Sequence, residues 1–221
     1  MSRVLALVEG ETEIAFVKTV LAPELAGKGV FLSATKIGSA RGQSGIRSYE
    51  SNRRDILAAL KQDQGRSCTT MLDYYGMPDD WPGRAEAREQ PPSERAVCVE
   101  ARLGEDIAGA MGPSFDRRRF VPYVQMHEFE AILFSNPHEL AAALHMPAIE
   151  ADLAAMVTQC GSPEEIDDGE TTAPAKRIRG LAPQYNKVVG GILAAQRIGL
   201  AAIRRECRHF DEWVRRLEAL G

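Results

Sequence analysis

Val4-Leu5-Ala6-Leu7-Val8-Glu9-Gly10-Glu11-Thr12-Glu13 is an apolar run that stops abruptly on a carboxylate, a glycine and two further carboxylates. Ile14, Val17, Val20, Leu21 and Leu25 follow near helical spacing. The pattern reads as buried strand, tight turn and helix. A run apolar at every position suits a strand covered on both faces, as in a parallel sheet. The turn then sits at the carboxyl end of the strand, where open α/β sheets place their ligands. Glu9 stands where the strand stops, and a carboxylate there needs a partner. Glu13, four residues on, reaches toward the same space. The plainer reading of Glu11 and Glu13 is that they complement the positive helix end.

Bulk properties narrow the class. With 221 residues the chain fits one large domain or a core with a helical appendage. We place an α/β core at 1–135 and a helical region packed on it at 136–221. A net charge of -4 gives no global basic signature for nucleic acid, so any such contact must come from local clusters. Cys68, Cys98, Cys160 and Cys207 are widely spaced and form no CxxC pair, which argues against zinc and against a disulfide framework. No secretory pattern and no membrane-spanning run is visible, so the expected location is the cytoplasm, away from membranes.

Outward from the first helix, Val30 to Ile37 alternates as a second strand. Gly38 to Gly45 is a three-glycine loop of the kind that wraps phosphates, with Arg41 as its candidate contact, although a plain surface loop is the simpler account. Tyr49 to Gln64 reads as a helix. Ser67 to Asp73 is a third strand that also ends in a carboxylate. Right-handed βαβ crossovers put Glu9 and Asp73 on one sheet edge, where converging acids with water access suit a hard divalent cation such as Mg²⁺. Residues 74 to 95 read as a long irregular segment in which Tyr74, Tyr75 and Trp81 anchor the loop or stack on bases. A helix over 96–111 follows, then Arg117-Arg118-Arg119, read as a solvated face or a phosphate track. A single fourth strand is expected over Phe120 to Val124, with Pro122 marking an end or an edge.

Gln125 to Phe134 packs His127, Glu128 and Glu130 into four positions. One of the two glutamates is a candidate third metal ligand. His127 is a base, a ligand or a structural residue. From Pro137 on, the spacing predicts helices near 137–145, 147–159, 174–181, 184–197, 199–207 and 208–220. Lys176, Arg177 and Lys187 carry the densest local positive charge and are candidates to approach a phosphodiester.

Four of these stretches resemble one bacterial family, known as a domain of unknown function (number 4276). They are Leu7 to Glu13, Met71 to Gly76, Gln125 to Ala131 and Ala175 to Ile178, and the ending Cys207 to Trp213 agrees. That family is similar in turn to Toprim domains, especially those of the overcoming-lysogenization-defect (OLD) nucleases. The resemblance implies a compact Toprim-like Rossmannoid α/β domain with a mainly parallel sheet of about four strands and a C-terminal helical region. It implies a Mg²⁺- or Mn²⁺-dependent nuclease in which Glu9, Asp73 and Glu128 or Glu130 hold metal. Glu13 then acts on a second ion or orients the first, and Lys176 or Lys187 offsets charge on the phosphate. The Asp-x-Asp pair of the nuclease branch reads Asp73-Tyr74-Tyr75 here, so its second acid is missing. The resemblance further implies DNA rather than RNA as substrate, and an ATPase partner in antiphage defence or DNA metabolism. A non-catalytic Toprim-like subunit that binds an ATPase or nucleic acid is the alternative. A homodimer through the helical half is compatible with either.

Overall fold

A computed structural model describes residues 1–38, 45–166 and 172–221. The first strand, β1 (Ser2–Val8), lies inside the sheet, between β2 (Val30–Lys36) and β3 (Arg66–Asp73), and both pairings are parallel. Two short strands, β4 (Phe120–Val121) and β5 (Val124–Gln125), both pair with β3, again parallel. The order is therefore β2-β1-β3-β4, with β5 beyond the end of β4. An all-parallel sheet needs cover on both faces, and two apolar clusters provide it.

One face carries Val4, Ala6, Val8 and Met71. It is covered by α1 (Glu11–Phe16), the π-helical turn Val17–Leu21, α2 (Ala22–Ala26) and the C-terminal helices. The opposite face carries Leu7, Cys68 and Leu72. It is covered by α3 (Tyr49–Gln62) and, beyond the short α4 (Arg84–Arg88), by the long α5 (Pro92–Met111). The remaining helices are α6 (Pro137–Ala143), α7 (Glu150–Cys160), α8 (Pro174–Leu181), α9 (Lys187–Glu206) and α10 (Arg208–Glu218). The fold is thus α/β, with a parallel sheet followed by a run of helices. Among the described residues, no helix is long and apolar enough to cross a membrane.

Three expectations change. The fourth strand is two strands, because Pro122 has no N–H to donate to the ladder. The Thr70 hydroxyl fills the gap: it accepts from the Tyr123 N–H at 2.9 Å and donates to the Tyr123 carbonyl at 2.9 Å. The segment 74–95 is less irregular than its prolines and glycines suggest. It holds α4, and α5 starts at Pro92, a residue pre-set for a first helical turn. Trp81 and Tyr74 anchor the segment: Trp81 is buried and donates from Nε1 to the Arg47 carbonyl, and Tyr74 is buried under the Arg84 guanidinium. Tyr75 stays on the surface. In the arginine run, Arg119 is tied inward, its guanidinium donating to the carbonyls of Leu60, Asp63 and Arg66.

The C-terminal helices close over the sheet through aromatic packing. Trp213 stacks on Tyr123 at 4.3 Å between ring centroids and donates from Nε1 to the Thr69 hydroxyl. Glu164 accepts hydrogen bonds from the backbone N–H groups of His209 and Phe210 and so caps the start of α10. Helix α9 is bent at Gly199, whose φ of 75° lies outside the helical region.

Candidate metal and phosphate site

Parallel pairing of β1 with β3 brings both strand ends to one edge of the sheet, Val8 standing opposite Met71. Glu9 follows β1 directly, and Asp73 is the last residue of β3. At Gly10 the chain turns, and α1 begins. The Gly10 N–H donates to Glu13 Oε2 at 2.9 Å, which folds Glu13 back beside Glu9 and buries it. A Cβ on Gly10 would lie 3.1 Å from Glu13 Oε2, and one on Gly76 would lie 3.7 Å from Glu9 Oε2. Glycines thus flank the two carboxylates and leave space beside them.

These carboxylates repel one another. Burial raises the Glu9 pKa, and the Glu13 charge raises it further, against the Asp73 backbone N–H that favours its ionised form. Burial holds Asp73 well above the usual carboxylate range, helped by the charges of Glu9, Glu13 and Glu130 and opposed by Lys187. Glu9 Oε2 is buried without a hydrogen-bond partner. A buried acceptor left unpaired is costly, so this atom is available to a ligand or to water.

Glu128 and Glu130 reach the cluster from the other side of the chain. Glu128 precedes the 3₁₀ helix Phe129–Ser135 and accepts from the Ala175 N–H at 3.0 Å, which ties it to the first turn of α8. Glu130 is fully buried. It pairs with the Lys187 ammonium at 3.0 Å and accepts from the Tyr185 hydroxyl at 3.3 Å. Burial raises the Glu130 pKa, partly offset by Lys187. Burial works against the Lys187 ammonium, but Glu130, Glu128 and Asp73 outweigh it and hold its pKa above the ordinary value. Lys187 thus links Glu130 to the Glu9–Asp73 edge.

The structure therefore gathers Glu9, Glu13, Asp73, Glu128, Glu130 and Lys187. Lys176 stands exposed on α8, and Arg177 turns back to donate from Nε to the Thr172 carbonyl. Arg41 lies outside the described residues. His127 is buried, with its ring stacked on Tyr75 at 5.4 Å. Tyr185 was not singled out from the sequence as a site residue. Its signal was its place two residues before Lys187, which becomes meaningful only once Glu130 is seen between them.

A donor set made only of carboxylate oxygens suits a hard divalent cation. Among the described residues, no three Asp, Glu, His or Cys side chains converge tightly enough to enclose an ion as they stand. Mg²⁺ does not require that enclosure, since it is commonly held by one or two carboxylates with water and substrate phosphate completing the shell. Glu9 and Asp73, with the unpartnered Oε2, fit such an open site.

A cavity of about 560 Å³ lies beside this edge, between β5, the start of α5, residues 162–165 and the start of α10. Its walls include Gln125 and His127 but neither Glu9 nor Asp73.

Comparison with known proteins gives one family. The model of the family described as domain of unknown function (DUF4276) matches residues 8–218. Among curated proteins no match was found. Among solved structures, the C-terminal region of the Xanthomonas campestris pv. campestris OLD protein is similar, with 16% identity over 97% of each chain and a TM-score of 0.39.

Proposed function

The chain belongs to the DUF4276 family, and from that premise we propose that it is a divalent-metal-dependent nuclease acting on phosphodiester bonds. The observation that carries the reading is the pairing of Glu9, with its buried, unpartnered Oε2, and Asp73, with its strongly raised pKa, at the ends of adjacent parallel strands. Glu9 and Asp73 would hold Mg²⁺ or Mn²⁺. A bound ion supplies a lowered pKa for attacking water and a positive charge against the phosphate. Lys187 offsets negative charge on a phosphate oxygen, a role that needs only a positioned cation. Glu130 and Tyr185 hold Lys187 in place. Glu13, fixed by the Gly10 N–H, orients water with its remaining oxygen. DNA as the substrate, and an ATPase partner in bacterial defence or DNA metabolism, are supported by the sequence resemblance alone.

The test is nicking of supercoiled plasmid in Mn²⁺ or Mg²⁺. Glu9→Gln and Asp73→Asn should each lower the rate about 100-fold or more, the loss typical of groups that organise a metal-activated water. Equal rates in wild type and both variants would trace the activity to a contaminant and remove the assignment.

A second reading has its own observation. Tyr75 occupies the place of the second acid and spends its ring on His127. A non-catalytic subunit that binds nucleic acid or an ATPase would be built this way. Wild-type protein that binds Mn²⁺ but fails to nick, alone and with its ATPase partner, would favour it.

A further inference from the structure

The 560 Å³ cavity beside β5 has the volume of a small-molecule site, and nothing in the cluster of Glu9, Asp73 and Lys187 uses it. Its position is fixed by strand register. Gln125 stands opposite Asp73 in the parallel β3–β5 pair, so the two side chains leave the sheet on the same face, one strand apart. Adjacent strands are about 4.8 Å apart. Tyr123, two residues before Gln125, points to that face as well and stacks with Trp213. Whatever fills the cavity therefore lies next to whatever Asp73 holds.

The walls define the chemistry of the occupant. Gln125 is almost fully buried, and its Oε1 is taken by the Tyr123 hydroxyl at 2.9 Å. Its amide N–H groups bond no other group among the described residues, which leaves two donors for a ligand acceptor. His209 lies at 5.0 Å from the Tyr123 ring, and His127 adds a further ring, so planar groups line the space. Glu165 supplies a carboxylate acceptor, whereas both Glu164 oxygens already accept from the backbone N–H groups of His209 and Phe210. The cations on the walls are already engaged: Arg208 pairs with Glu212 at 3.1 Å and His209 with Glu100 at 2.9 Å. Among the described residues, a phosphate has no free cation on these walls. A flat heterocycle with a ring acceptor and an exocyclic amine finds the Gln125 donors, the Glu165 acceptor and planar neighbours.

We propose that this cavity binds a nucleobase bearing an exocyclic amine, taken out of the stack from the nucleotide whose phosphate lies at Glu9, Asp73 and Lys187. The inference rests on the nuclease reading for the identity of its neighbour, and it supplies that reading with a base preference. Extruding a base into a side pocket costs least in single-stranded or mismatched DNA. The enzyme would therefore cut preferentially next to such sites. Uracil and thymine present Glu165 with a single ring N–H where an exocyclic amine presents two, so they are held less tightly.

The experiment is calorimetric titration of the full chain, without divalent cation, with adenosine, guanosine, cytidine and uridine. A matching set uses single-stranded oligonucleotides with one amino-bearing base or one abasic position. At least one amino-bearing nucleoside should bind ten times or more tighter than uridine, and the abasic oligonucleotide should bind more weakly than its parent. Gln125→Glu, which keeps the acceptor for Tyr123 and removes the donors, should weaken nucleoside binding about tenfold. Val97→Trp, a half-exposed position on the cavity rim, should block binding with an unchanged melting temperature. It serves as the control if Gln125→Glu fails to fold. Equal binding of all four nucleosides, binding by none, or full binding in Val97→Trp would overturn the proposal. Absence of plasmid nicking, alone and with the ATPase partner, alongside normal nucleoside titrations would remove the nuclease reading and leave the base pocket standing.

Discussion

Glu130 and Lys187 show how one residue's charge is set by another far away in sequence. Glu130 has no exposure, and Lys187 keeps about a third of its side chain in solvent (34%). Removing the lysine leaves a buried carboxylate without its cation. Lys187→Met should therefore cost about 2–4 kcal/mol, at or below the usual cost of widowing a buried charge because solvent reaches this pair. The double variant Lys187→Met, Glu130→Gln should recover most of that loss in a urea titration, while nicking stays low in both. A double variant as unstable as the single one would show that the pair has no coupling.

His209 carries a pH dependence away from the carboxylate edge. Burial lowers its pKa, but the hydrogen bond and charge of Glu100, with Glu164 and Glu212 nearby, outweigh burial and raise it. Arg216 also contacts Glu100, and Tyr123 faces the imidazole ring. The folded protein thus holds the His209 proton more tightly than the unfolded chain does. Its contribution is fully present below the unfolded pKa of about 6.5 and is lost as pH rises through the folded value. Glu100→Gln should lower the His209 pKa in an NMR titration and flatten the fall in stability over that window. An unshifted imidazole titration would contradict the pairing.

At the scale of elements, Gly199 is the clearest local test. Its φ of 75° and ψ of 152° interrupt α9, and no atom stands within 4 Å of a Cβ built there. Any cost of Gly199→Ala is therefore backbone strain and not crowding. The substitution should lower stability by about 1–3 kcal/mol, measured as a shift in the urea midpoint at constant slope. The same glycine explains why the sequence separates helices near 184–197 and 199–207: its non-helical φ and ψ divide Lys187–Glu206 into two helical stretches. Apolar periodicity made the strands β1, β2 and β3 readable, because each run is bounded by a carboxylate or a glycine. It also made Glu9 and Asp73 stand out, since a charge closing an apolar run is visible without a structure. The split of the fourth strand was not readable, because the hydroxyl that bridges Pro122 belongs to Thr70 on another strand. The partners of Glu130 and His209 were hidden for the same reason: Lys187 and Glu100 are distant in sequence, and no local pattern points from one to the other.

For the whole molecule, the important fact is that the apolar cluster on one sheet face includes β1 and the C-terminal helices together. Val4 and Val8 share it with Phe210, Trp213 and Leu217, all buried. A fragment ending at residue 135 would expose that face of the sheet to water. It should lack a cooperative thermal transition by circular dichroism, whereas the full chain should unfold with one. A cooperative transition in the fragment would make the helical half a separable addition. The packing leads us to propose that the boundary near 135 separates two parts of one folding unit.

The cation at the carboxylate edge has a further consequence, one of timing. Glu9, Glu13 and Asp73 leave the ribosome early, and Lys187 leaves it late. At synthesis rates of about 5–20 residues per second the interval is roughly ten seconds. Through that interval the growing chain carries its acids without the ammonium that later faces them. Because the sheet face closes only with the C-terminal helices, the acids meet their ammonium in the same step that completes the fold.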